Sequence, residues 1–184
     1  MSVPETIGVE RMDGAAAAQA EAAFRLVYAE AFAEPPYNET PKGVEATFRH
    51  FRSQVREPTF RAALARTADG EPVGIAYGHA LGPTTGWWDR LITPVPDELR
   101  REDGHRTFGL LELAVRAPWR RFGVARRLHE ALLAQAAEER VVLNARPDVA
   151  AAQAAYRSWG YRKVGESRPG EGAGPHDVML LDRR

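Results

Sequence analysis

The sequence predicts an α/β fold in which one mixed β-sheet of about six to seven strands is flanked by about four helices. Two observations predict it. Apolar residues recur at two periods, one typical of helices and one typical of strands, and segments of the two kinds alternate along the chain. Near the middle, an apolar strand is followed by a helix and another strand, which favours a parallel unit. No repeat or linker interrupts this order, so we expect a single domain over residues 1–184.

The chain begins with a predicted strand and two predicted helices. Residues 7–12 alternate as a strand. A helix opens at Gly14, and its apolar residues recur at helical spacing until the prolines at 35–36 stop it, because proline lacks an amide donor. A second helix is predicted over residues 42–56.

A hairpin and a long loop follow. Residues 60–67 and 72–81 are predicted as paired strands, because Asp69-Gly70 between two apolar runs is typical of a hairpin turn. Residues 82–104 are rich in glycine and proline and are predicted as a loop, with a short helical turn at 97–101.

The second half of the chain alternates strand and helix. Residues 108–115 form the most apolar strand, which indicates the buried centre of the sheet. Asp148 suits the N-cap of the last helix, and Gly160 suits its C-terminal stop. The other predicted elements are helices at 124–138 and 148–159, strands at 141–144, 161–165 and 178–181, and a loop at 168–174.

Composition and charge limit the kinds of partner and cofactor that we expect for this protein. The 25 basic and 25 acidic residues leave no net charge, which disfavours a nucleic-acid partner. The absence of cysteine excludes disulfides, thiolate nucleophiles and cysteine-bound metal, and we expect no metal cofactor. No segment has the apolar length of a signal peptide or a membrane span, so we expect a cytoplasmic protein without a membrane partner.

The stretch from residue 113 to 128, LAVRAPWRRFGVARRL, is the most informative part of the sequence. A strand leads through a loop into a helix, whose first amides and positive dipole end can receive an anion. Gly123 and Ala125 allow close approach to the backbone, and this stretch holds five arginines and no acid. The pattern favours a pyrophosphate, with arginine left for a further phosphate. The alternative is an ordinary turn beside solvated arginines.

Two motifs in the second half carry a resemblance to a known family. Arg120-x-x-Gly123-x-Ala125 matches the Arg/Gln-x-x-Gly-x-Gly/Ala signature of the GNAT superfamily of acyl-CoA N-acyltransferases. Residues 152–161, AQAAYRSWGY, resemble the family's A-x-x-x-Tyr-x-x-x-Gly-Phe/Tyr element. The order of the two motifs and the upstream elements also fit, so the resemblance covers nearly the whole chain and implies the GNAT fold.

The resemblance implies acetyl-CoA as the acyl donor. Tyr156 would protonate the leaving CoA thiolate, although by spacing alone this residue would be a core aromatic. Many relatives begin the helix of this tyrosine with Asn, where this chain has Val149 beside Asp148, a candidate replacement. The residues implied to bind CoA are Leu113, Ala114 and Val115 for the pantetheine arm, and Arg120, Arg121, Phe122, Gly123, Val124, Ala125 and Arg126 for the pyrophosphate.

The expected reaction is direct attack of an amine on the thioester carbonyl, which requires a base for an ammonium with a pKa of about 10. Glu112 is the predicted base, because a half-buried carboxylate in an apolar strand has a raised pKa. The alternative, of equal weight, is an ion pair between Glu112 and an arginine of a neighbouring strand. His79 and His105 are further candidates, each more typical of an ordinary strand or loop histidine.

The acceptor pocket is expected, by resemblance, from the N-terminal helices and the loop after the hairpin. Tyr37, Trp87 and Trp88 are the aromatic residues predicted to line it, and such rings suit a protonated amine. The alternative is that both tryptophans cover the sheet edge. Glu34 and Glu39 could attract a cationic acceptor, and the alternative, which the frequency of such residues favours, is that they are ordinary surface acids.

The sequence is compatible with several functions. The predicted acceptor is a small-molecule primary amine, and the alternative is a protein N-terminus or lysine. A non-catalytic acyl-CoA sensor would keep the arginine loop without needing Tyr156. A nucleic-acid binder would use the five arginines, against the zero net charge. A homodimer is compatible with the resemblance, and the length of the acyl group stays open.

Overall fold

A computed structural model describes residues 6–184. This part of the chain contains seven strands and six helices, together with two short 3-10 turns. In chain order the strands and helices are β1 (Ile7–Met12), α1 (Gly14–Gln19), α2 (Glu21–Ala33), α3 (Pro41–Gln54), β2 (Arg61–Thr67), β3 (Pro72–Ala80), α4 (Asp97–Arg100), β4 (Thr107–Val115), α5 (Val124–Leu133), β5 (Arg140–Ala145), α6 (Ala150–Ser158), β6 (Arg162–Ser167) and β7 (His176–Asp182).

The seven strands form one mixed sheet in the order β1-β2-β3-β4-β5-β7-β6. The pairs β1–β2, β2–β3, β5–β7 and β6–β7 are antiparallel. β4 and β5 are parallel, with Phe108 opposite Val141. A parallel pair requires a crossover connection, and the chain between these two strands contains α5. The predicted α/β fold with a mixed sheet is confirmed.

The chain divides into two compact units, and the first comprises the described residues up to His79 together with Leu111–Ala136. Its core is aromatic. The rings of Phe24, Phe51 and Tyr77 are buried and contact one another. The centroid distances are 5.2 Å for Phe51 and Tyr77, 5.5 Å for Phe24 and Phe51, and 6.0 Å for Phe24 and Tyr77. Aromatic pairs at these distances attract each other beyond the burial of their apolar area. This cluster therefore fixes α2 and α3 against β3.

Within the first unit, β3 approaches α5 closely at Gly74. A Cβ atom at this position would lie 2.8 Å from Leu128 Cδ1 and 3.2 Å from Val124 Cγ1. Both distances are shorter than ordinary van der Waals contact, so any side chain here would require its neighbours to move. Gly74 therefore sets how closely the beginning of α5 lies against the sheet.

The second unit comprises Ala80–Leu110 and Ala137–Arg184. Inside it, Glu102 and Arg140 form an ion pair of 3.0 Å, with side chains only 1% and 3% exposed. Trp88 Nε1 donates to the same Glu102 oxygen at 2.8 Å, and Arg140 also donates to Thr107 Oγ1 and Leu99 O at 2.6 Å. This network ties the loop before β4 to β5. The buried apolar residues around it are Leu81, Trp88, Val142, Val178 and Leu180.

Three predicted helix boundaries are wrong, each for a local reason. The first predicted helix is two helices, because the chain turns at Ala20 between α1 and α2. α5 ends at Leu133 rather than at 138, and the following residues turn towards β5. The N-cap of α6 is Val149 and not Asp148, because Arg146 holds the Asp148 carboxylate at 2.8 Å. The other boundaries lie within two residues of the prediction.

Candidate functional site

α5 begins at an N-terminus without a side-chain cap. Its N-cap is Gly123, which has a φ of 77°, in the left-handed region that favours glycine. A Cβ atom there would meet nothing within 4 Å, so the space beside the backbone is open. Arg121 has a φ of 69°, and such turns direct successive amides to one side. The first turn of α5 has no acidic residue, so the positive end of the helix dipole is not compensated within it.

The amides of residues 121–126 are the donors that this N-terminus offers. Among residues 6–184, no backbone carbonyl accepts a hydrogen bond from any of these six amides. The next amide, that of Arg127, donates to Gly123 O at 3.1 Å and begins the helical pattern. A row of unpaired donors at the positive end of a helix suits an anionic ligand.

Two of the five arginines form ion pairs that anchor the loop. Arg116 forms ion pairs with Glu30 and, at 2.8 Å, with Glu71. Arg120 pairs with Glu34 at 2.9 Å. Glu30 and Glu34 lie one helical turn apart at the C-terminal end of α2, so these pairs hold the loop against α2.

The other three arginines differ in their partners. Arg126 pairs with Glu130 on the exposed face of α5 at 3.0 Å. Arg127 donates to the carbonyl of Ile7 at 2.8 Å and forms no ion pair with a residue that the structure describes. Arg121 likewise has no acidic partner in the described part of the chain. Of the five arginines, Arg121 and Arg127 are therefore the two that have no acidic side chain bound to them within residues 6–184.

Glu112 lies in the half of β4 that belongs to the first unit, and its side chain is partly buried. Burial raises the pKa of Glu112 to about 8, and the negative charge of Glu39 adds to this effect. No described residue forms an ion pair or a hydrogen bond with the Glu112 carboxyl group. The alternative interpretation of Glu112 as the partner of an arginine is therefore wrong. A carboxyl group whose pKa lies near neutrality can accept and release protons at working pH.

A chain of hydrogen bonds lies near Glu112. Thr47 Oγ1 of α3 donates to Tyr28 Oη at 3.1 Å, and Tyr28 Oη donates to Glu39 Oε2 at 3.0 Å. Burial, followed by the charge of Glu112, raises the pKa of the Tyr28 and Tyr77 hydroxyls well above their usual range. Both phenols therefore stay protonated at neutral pH, and Tyr28 remains a hydrogen-bond donor.

The three aromatic residues predicted for the acceptor pocket differ in burial. Tyr37 is partly buried and forms an edge-to-face contact with Phe32 at a centroid distance of 4.7 Å. Trp87 is partly buried, and Trp88 is only 3% exposed. Because Trp88 lies in the core of the second unit and donates to Glu102, its position agrees with the alternative interpretation, a covering role.

Tyr156 is partly buried on α6. Its ring contacts Trp159 and Tyr161 edge-to-face, each at a centroid distance of 5.7 Å. These two rings restrict the rotamers that Tyr156 can adopt. Burial raises the pKa of Tyr161 above its usual range, so that phenol stays protonated as well.

The candidate residues are divided between the two units. The arginine loop, Glu112, Tyr37 and His79 belong to the first unit. The second unit contains Tyr156, both tryptophans and His105. Within the first unit, the structure adds Tyr28 and Thr47, which the sequence did not single out, because a tyrosine in an apolar helical stripe is usually a core residue. The only signal was that a buried tyrosine hydroxyl requires a polar partner.

Residues 24–161 match the model of the Acetyltransferase (GNAT) family. The match covers more than half of the chain and includes the arginine loop, Glu112 and Tyr156. The chain belongs to the GNAT family. The predicted resemblance is thereby confirmed, and the family is one of acyltransferases.

Solved structures of other GNAT proteins have the same fold. The ribosomal-protein-S18-alanine N-acetyltransferase of Escherichia coli is 18% identical, with a TM-score of 0.64 over 96% of this chain and 94% of that one. An aminoglycoside acetyltransferase from an uncultured soil metagenomic sample is 22% identical, with a TM-score of 0.57 over 86% and 93%. The PaiA N-acetyltransferase of Thermoplasma acidophilum, solved with coenzyme A, is 10% identical, with a TM-score of 0.59 over 96% and 99%. At these identities the likeness shows the fold alone, and no curated protein matches the sequence.

The site of this GNAT protein consists of backbone donors and a few polar side chains. In the described range, no three His, Asp or Glu side chains gather as a metal ion would require. None of the helices between residues 6 and 184 is both long and apolar enough to cross a membrane. Chemically, the first unit offers amides for an anion and a carboxyl group for proton transfer.

Proposed function

We propose that this GNAT protein is an N-acetyltransferase that moves the acetyl group of acetyl-CoA to the primary amine of a small-molecule acceptor. One observation carries the proposal: within the described residues, the first unit combines amides that have no backbone acceptor, at the N-terminus of α5, with a Glu112 carboxyl group that has no hydrogen-bond or ion-pair partner. The acceptor nitrogen bonds to the carbonyl carbon and the carbon–sulfur bond breaks. Glu112 takes the first proton from the ammonium before the attack, and the nitrogen loses a second proton as the amide forms. Tyr156 gives its proton to the departing thiolate and regains one from solvent, so that one proton is released in each turnover.

The loop before α5 has the features that a CoA pyrophosphate requires. Amides 121–126 have no backbone acceptor among the described residues, and Gly123 leaves open space beside them. Arg121 and Arg127, which lack acidic partners in the described chain, are available for a further phosphate. By the family pattern, the backbone of Leu113, Ala114 and Val115 pairs with the pantetheine arm.

Glu112 is suited to take the proton from the ammonium form of the acceptor. Its pKa of about 8 lies between that of an ordinary carboxyl group and that of an amine, so deprotonated Glu112 is a stronger base than a surface carboxylate. The lack of an arginine partner keeps this proton affinity high. The transfer is direct or passes through one water molecule.

Tyr156 is proposed as the general acid because it occupies the tyrosine position of the second family motif, within the matched residues. Its contacts with Trp159 and Tyr161 restrict the ring, as orientation of a proton donor requires. A phenol that gives its proton to the leaving thiolate makes the C–S bond easier to break.

The acceptor is proposed to be a small molecule. A solved neighbour is an aminoglycoside acetyltransferase, and Tyr37 and the carboxylates of the first unit suit an amine cation. The second candidate is a protein N-terminus, which the alanine N-acetyltransferase neighbour supports. An assay of thiol release with three acceptors, an aliphatic diamine, an aminoglycoside and an alanine-initiated peptide, separates the two.

We propose that residues 1–184 act as one catalytic domain, because the family match includes residues of both units. It assigns the reaction to the cytoplasm, in keeping with a chain that has no cysteine. Homodimer formation is compatible with it and is measured by sedimentation.

Calorimetric titration with acetyl-CoA, and separately with acetyl-3′-dephospho-CoA, tests the donor. We expect a Kd of about micromolar for acetyl-CoA, and binding about tenfold weaker without the 3′-phosphate, because charge-assisted bonds to arginine are lost. Absence of binding to both ligands would contradict the proposal and leave only the family fold.

Replacement of Tyr156 by phenylalanine removes the proposed acid and keeps the ring. We expect kcat to fall about ten- to a thousandfold, with little change in the affinity for CoA, because the hydroxyl acts on the leaving group. Tyr161→Phe is the matched control, since that hydroxyl is buried and belongs to the same aromatic cluster. Equal activity of Tyr156→Phe and the wild type would remove Tyr156 from the mechanism.

Replacement of Glu112 by glutamine removes the proposed base and keeps its shape. The wild-type kcat/KM is expected to rise with pH through about 8, as Glu112 loses its proton. In Glu112→Gln this rise disappears, and kcat/KM at high pH falls about 100-fold or more. His79→Gln is the comparison for the other candidate base in the first unit. An unchanged pH profile in Glu112→Gln would exclude the carboxyl group as the base.

A further inference from the structure

The helix that carries Tyr156, α6, has little of its own to hold it in place. It is nine residues long, its N-cap Val149 forms no side-chain cap, and none of its residues is fully buried. A helix this short is marginally stable alone in water, so α6 depends on contacts within the second unit. Its partly buried residues are Ala152, Gln153, Ala155 and Tyr156. Because alanine offers only a methyl group, Gln153 and Tyr156 are the two larger side chains of this inner face.

Gln153 joins α6 to two other parts of the second unit through its side-chain amide. Nε2 donates to the carbonyl of Arg146, which directly follows β5, at 3.2 Å and to Asp177 Oδ2 of β7 at 3.1 Å. A backbone carbonyl and a carboxylate can only accept hydrogen bonds, so the nitrogen of the amide and not its oxygen must face them. The side chain of Gln153 therefore connects α6 to the sheet in one orientation.

Asp177 is a rigid partner for Gln153. It lies on β7 between β5 and β6, opposite Ala145 and Glu166, and is only 8% exposed. Lys163 of β6 binds its other oxygen, Oδ1, at 3.0 Å. Because the sheet fixes the backbone of Asp177 and two partners fix its carboxylate, the sheet determines where the Gln153 amide lies.

Gln153 and Tyr156 are three residues apart, so their side chains lie one turn apart on the same face of α6. Beyond the C-terminal end of the helix, the amide of the buried Tyr161 donates to Tyr156 O at 3.0 Å. α6 is thus held by Gln153 near its beginning and by Tyr161 at its end. Loss of the Gln153 contact would let the helix move at the turn before Tyr156.

We propose that Gln153 and Asp177 are positioning residues for the reaction, which fix where α6 places the Tyr156 hydroxyl. The inference rests on the proposed function, in which Tyr156 is the general acid. Both Nε2 hydrogens of Gln153 have acceptors inside the second unit, and Asp177 accepts through both of its oxygens. The two residues therefore act on the leaving thiolate through Tyr156, whose orientation they determine.

Gln153→Met tests the inference, because methionine keeps the length of the side chain and removes both donors. With acetyl-CoA and the best amine of the three-acceptor assay, we expect kcat to fall about ten- to a hundredfold, since a small displacement of a catalytic group has this effect. The affinity for acetyl-CoA should change little. The rate is expressed per acetyl-CoA site counted by calorimetry, so unfolded protein does not lower it. An unchanged kcat would overturn the inference.

A double-mutant cycle with Tyr156→Phe distinguishes positioning of the hydroxyl from a general loss of structure. If Gln153 acts through that hydroxyl, Gln153→Met should lower kcat by less than about twofold in the Tyr156→Phe background. If Gln153 only stabilised the fold, the two losses would multiply. Multiplied losses would therefore contradict the positioning role, even if Gln153→Met alone is slow.

Variants of Asp177 and Lys163 test the other end of the hydrogen bond. Asp177→Asn keeps an oxygen that can accept from Gln153, so kcat should stay within about threefold of the wild type, whereas Asp177→Leu should match Gln153→Met. Lys163→Met is the matched control, because it removes the ion pair of Asp177 and leaves the bond to Gln153. Its kcat should equal that of the wild type. Equal losses in Lys163→Met and Asp177→Leu would overturn the role of Asp177.

Failure of this inference can be told apart from failure of the proposed function. Full activity of Tyr156→Phe would remove the proposed general acid, and the positioning role with it. A slow Tyr156→Phe enzyme beside a Gln153→Met enzyme of normal rate would overturn the role of Gln153 and Asp177 alone.

Discussion

Glu112 is the residue whose chemical state the fold changes most clearly. It lies on a strand, partly buried, with no cation bound to it among the described residues. Burial favours the neutral form of a carboxyl group, and the nearby negative charge of Glu39 does the same. Ionisation of Glu112 in the folded protein therefore costs free energy. This cost can be measured from the stability of the protein, without any substrate.

The free energy of unfolding should depend on pH through the ionisation of Glu112. Its folded pKa of about 8 lies above the value of about 4.3 in an unfolded chain, so the folded state holds a proton that the unfolded state has lost. The contribution of Glu112 to stability is therefore complete below about pH 4.3 and is lost as the pH rises through about 8.

Glu112→Gln removes this dependence. The full difference between the two pKa values corresponds to about 5 kcal/mol at pH 9, and solvent around the partly exposed Glu112 side chain screens much of it. We therefore expect the free energy of unfolding of the variant to exceed that of the wild type by about 1–3 kcal/mol at pH 9 and by little at pH 4. Denaturant titrations at both pH values measure the difference. Glu130→Gln on the exposed face of α5 serves as the control. A constant difference at all pH values would contradict the raised pKa.

At the scale of an element, α5 combines a polar and an apolar role. Its first turn leaves amides without backbone acceptors in the described chain, while Val124, Leu128 and Leu132 of its inner face are buried. Packing of that face against the sheet fixes the direction of the N-terminus, so the donors do not depend on a ligand to be ordered.

Gly123→Glu should abolish binding of acetyl-CoA. The variant puts a side chain and a negative charge into the open space beside the amides, and both oppose a pyrophosphate. Gly172→Glu is the matched control, because Gly172 also has a positive φ and open space around it but lies in a loop of the second unit. Equal affinities of the two variants, measured by calorimetry, would contradict the assignment of the loop.

Regular elements were predictable because they follow local rules. The spacing of apolar residues, the turn residues and the prolines that end helices predicted the strands and helices. The two family motifs pointed to the arginine loop and Tyr156. The unpaired state of Glu112 was not predictable, because it depends on which side chains the fold brings near it. The buried pair of Glu102 and Arg140 gave no local signal either, since its partners lie far apart in the chain.

At the scale of the whole molecule, each unit has a core of a different kind. The first is held by aromatic rings, whereas the second contains a buried ion pair. Burial lowers the pKa of Arg140, although an arginine stays charged at any working pH. One oxygen of Glu102 receives both Trp88 and Arg140, and the other is buried without a partner among the described residues.

Glu102→Ala should destabilise the protein far more than the loss of an exposed pair. It leaves the Arg140 charge buried without its carboxylate, for which we expect about 3–5 kcal/mol. Glu130→Ala, which breaks the exposed pair with Arg126, should cost about 0.5 kcal/mol or less. Thermal unfolding of both variants at pH 7 measures the contrast, and similar losses would contradict the burial of the Glu102 pair.

Gly74 offers a route to altered donor selectivity by directed evolution. The two atoms nearest to an added methyl group belong to Val124 and Leu128, in the first two turns of α5. Even alanine would therefore press on the helix whose first amides are available to an anion. Such a change would shift the amides of residues 121–126 without replacing any of the residues proposed to bind CoA. Libraries designed to accept bulkier acyl thioesters should therefore vary position 74 together with Leu128, whose flexible end can yield first.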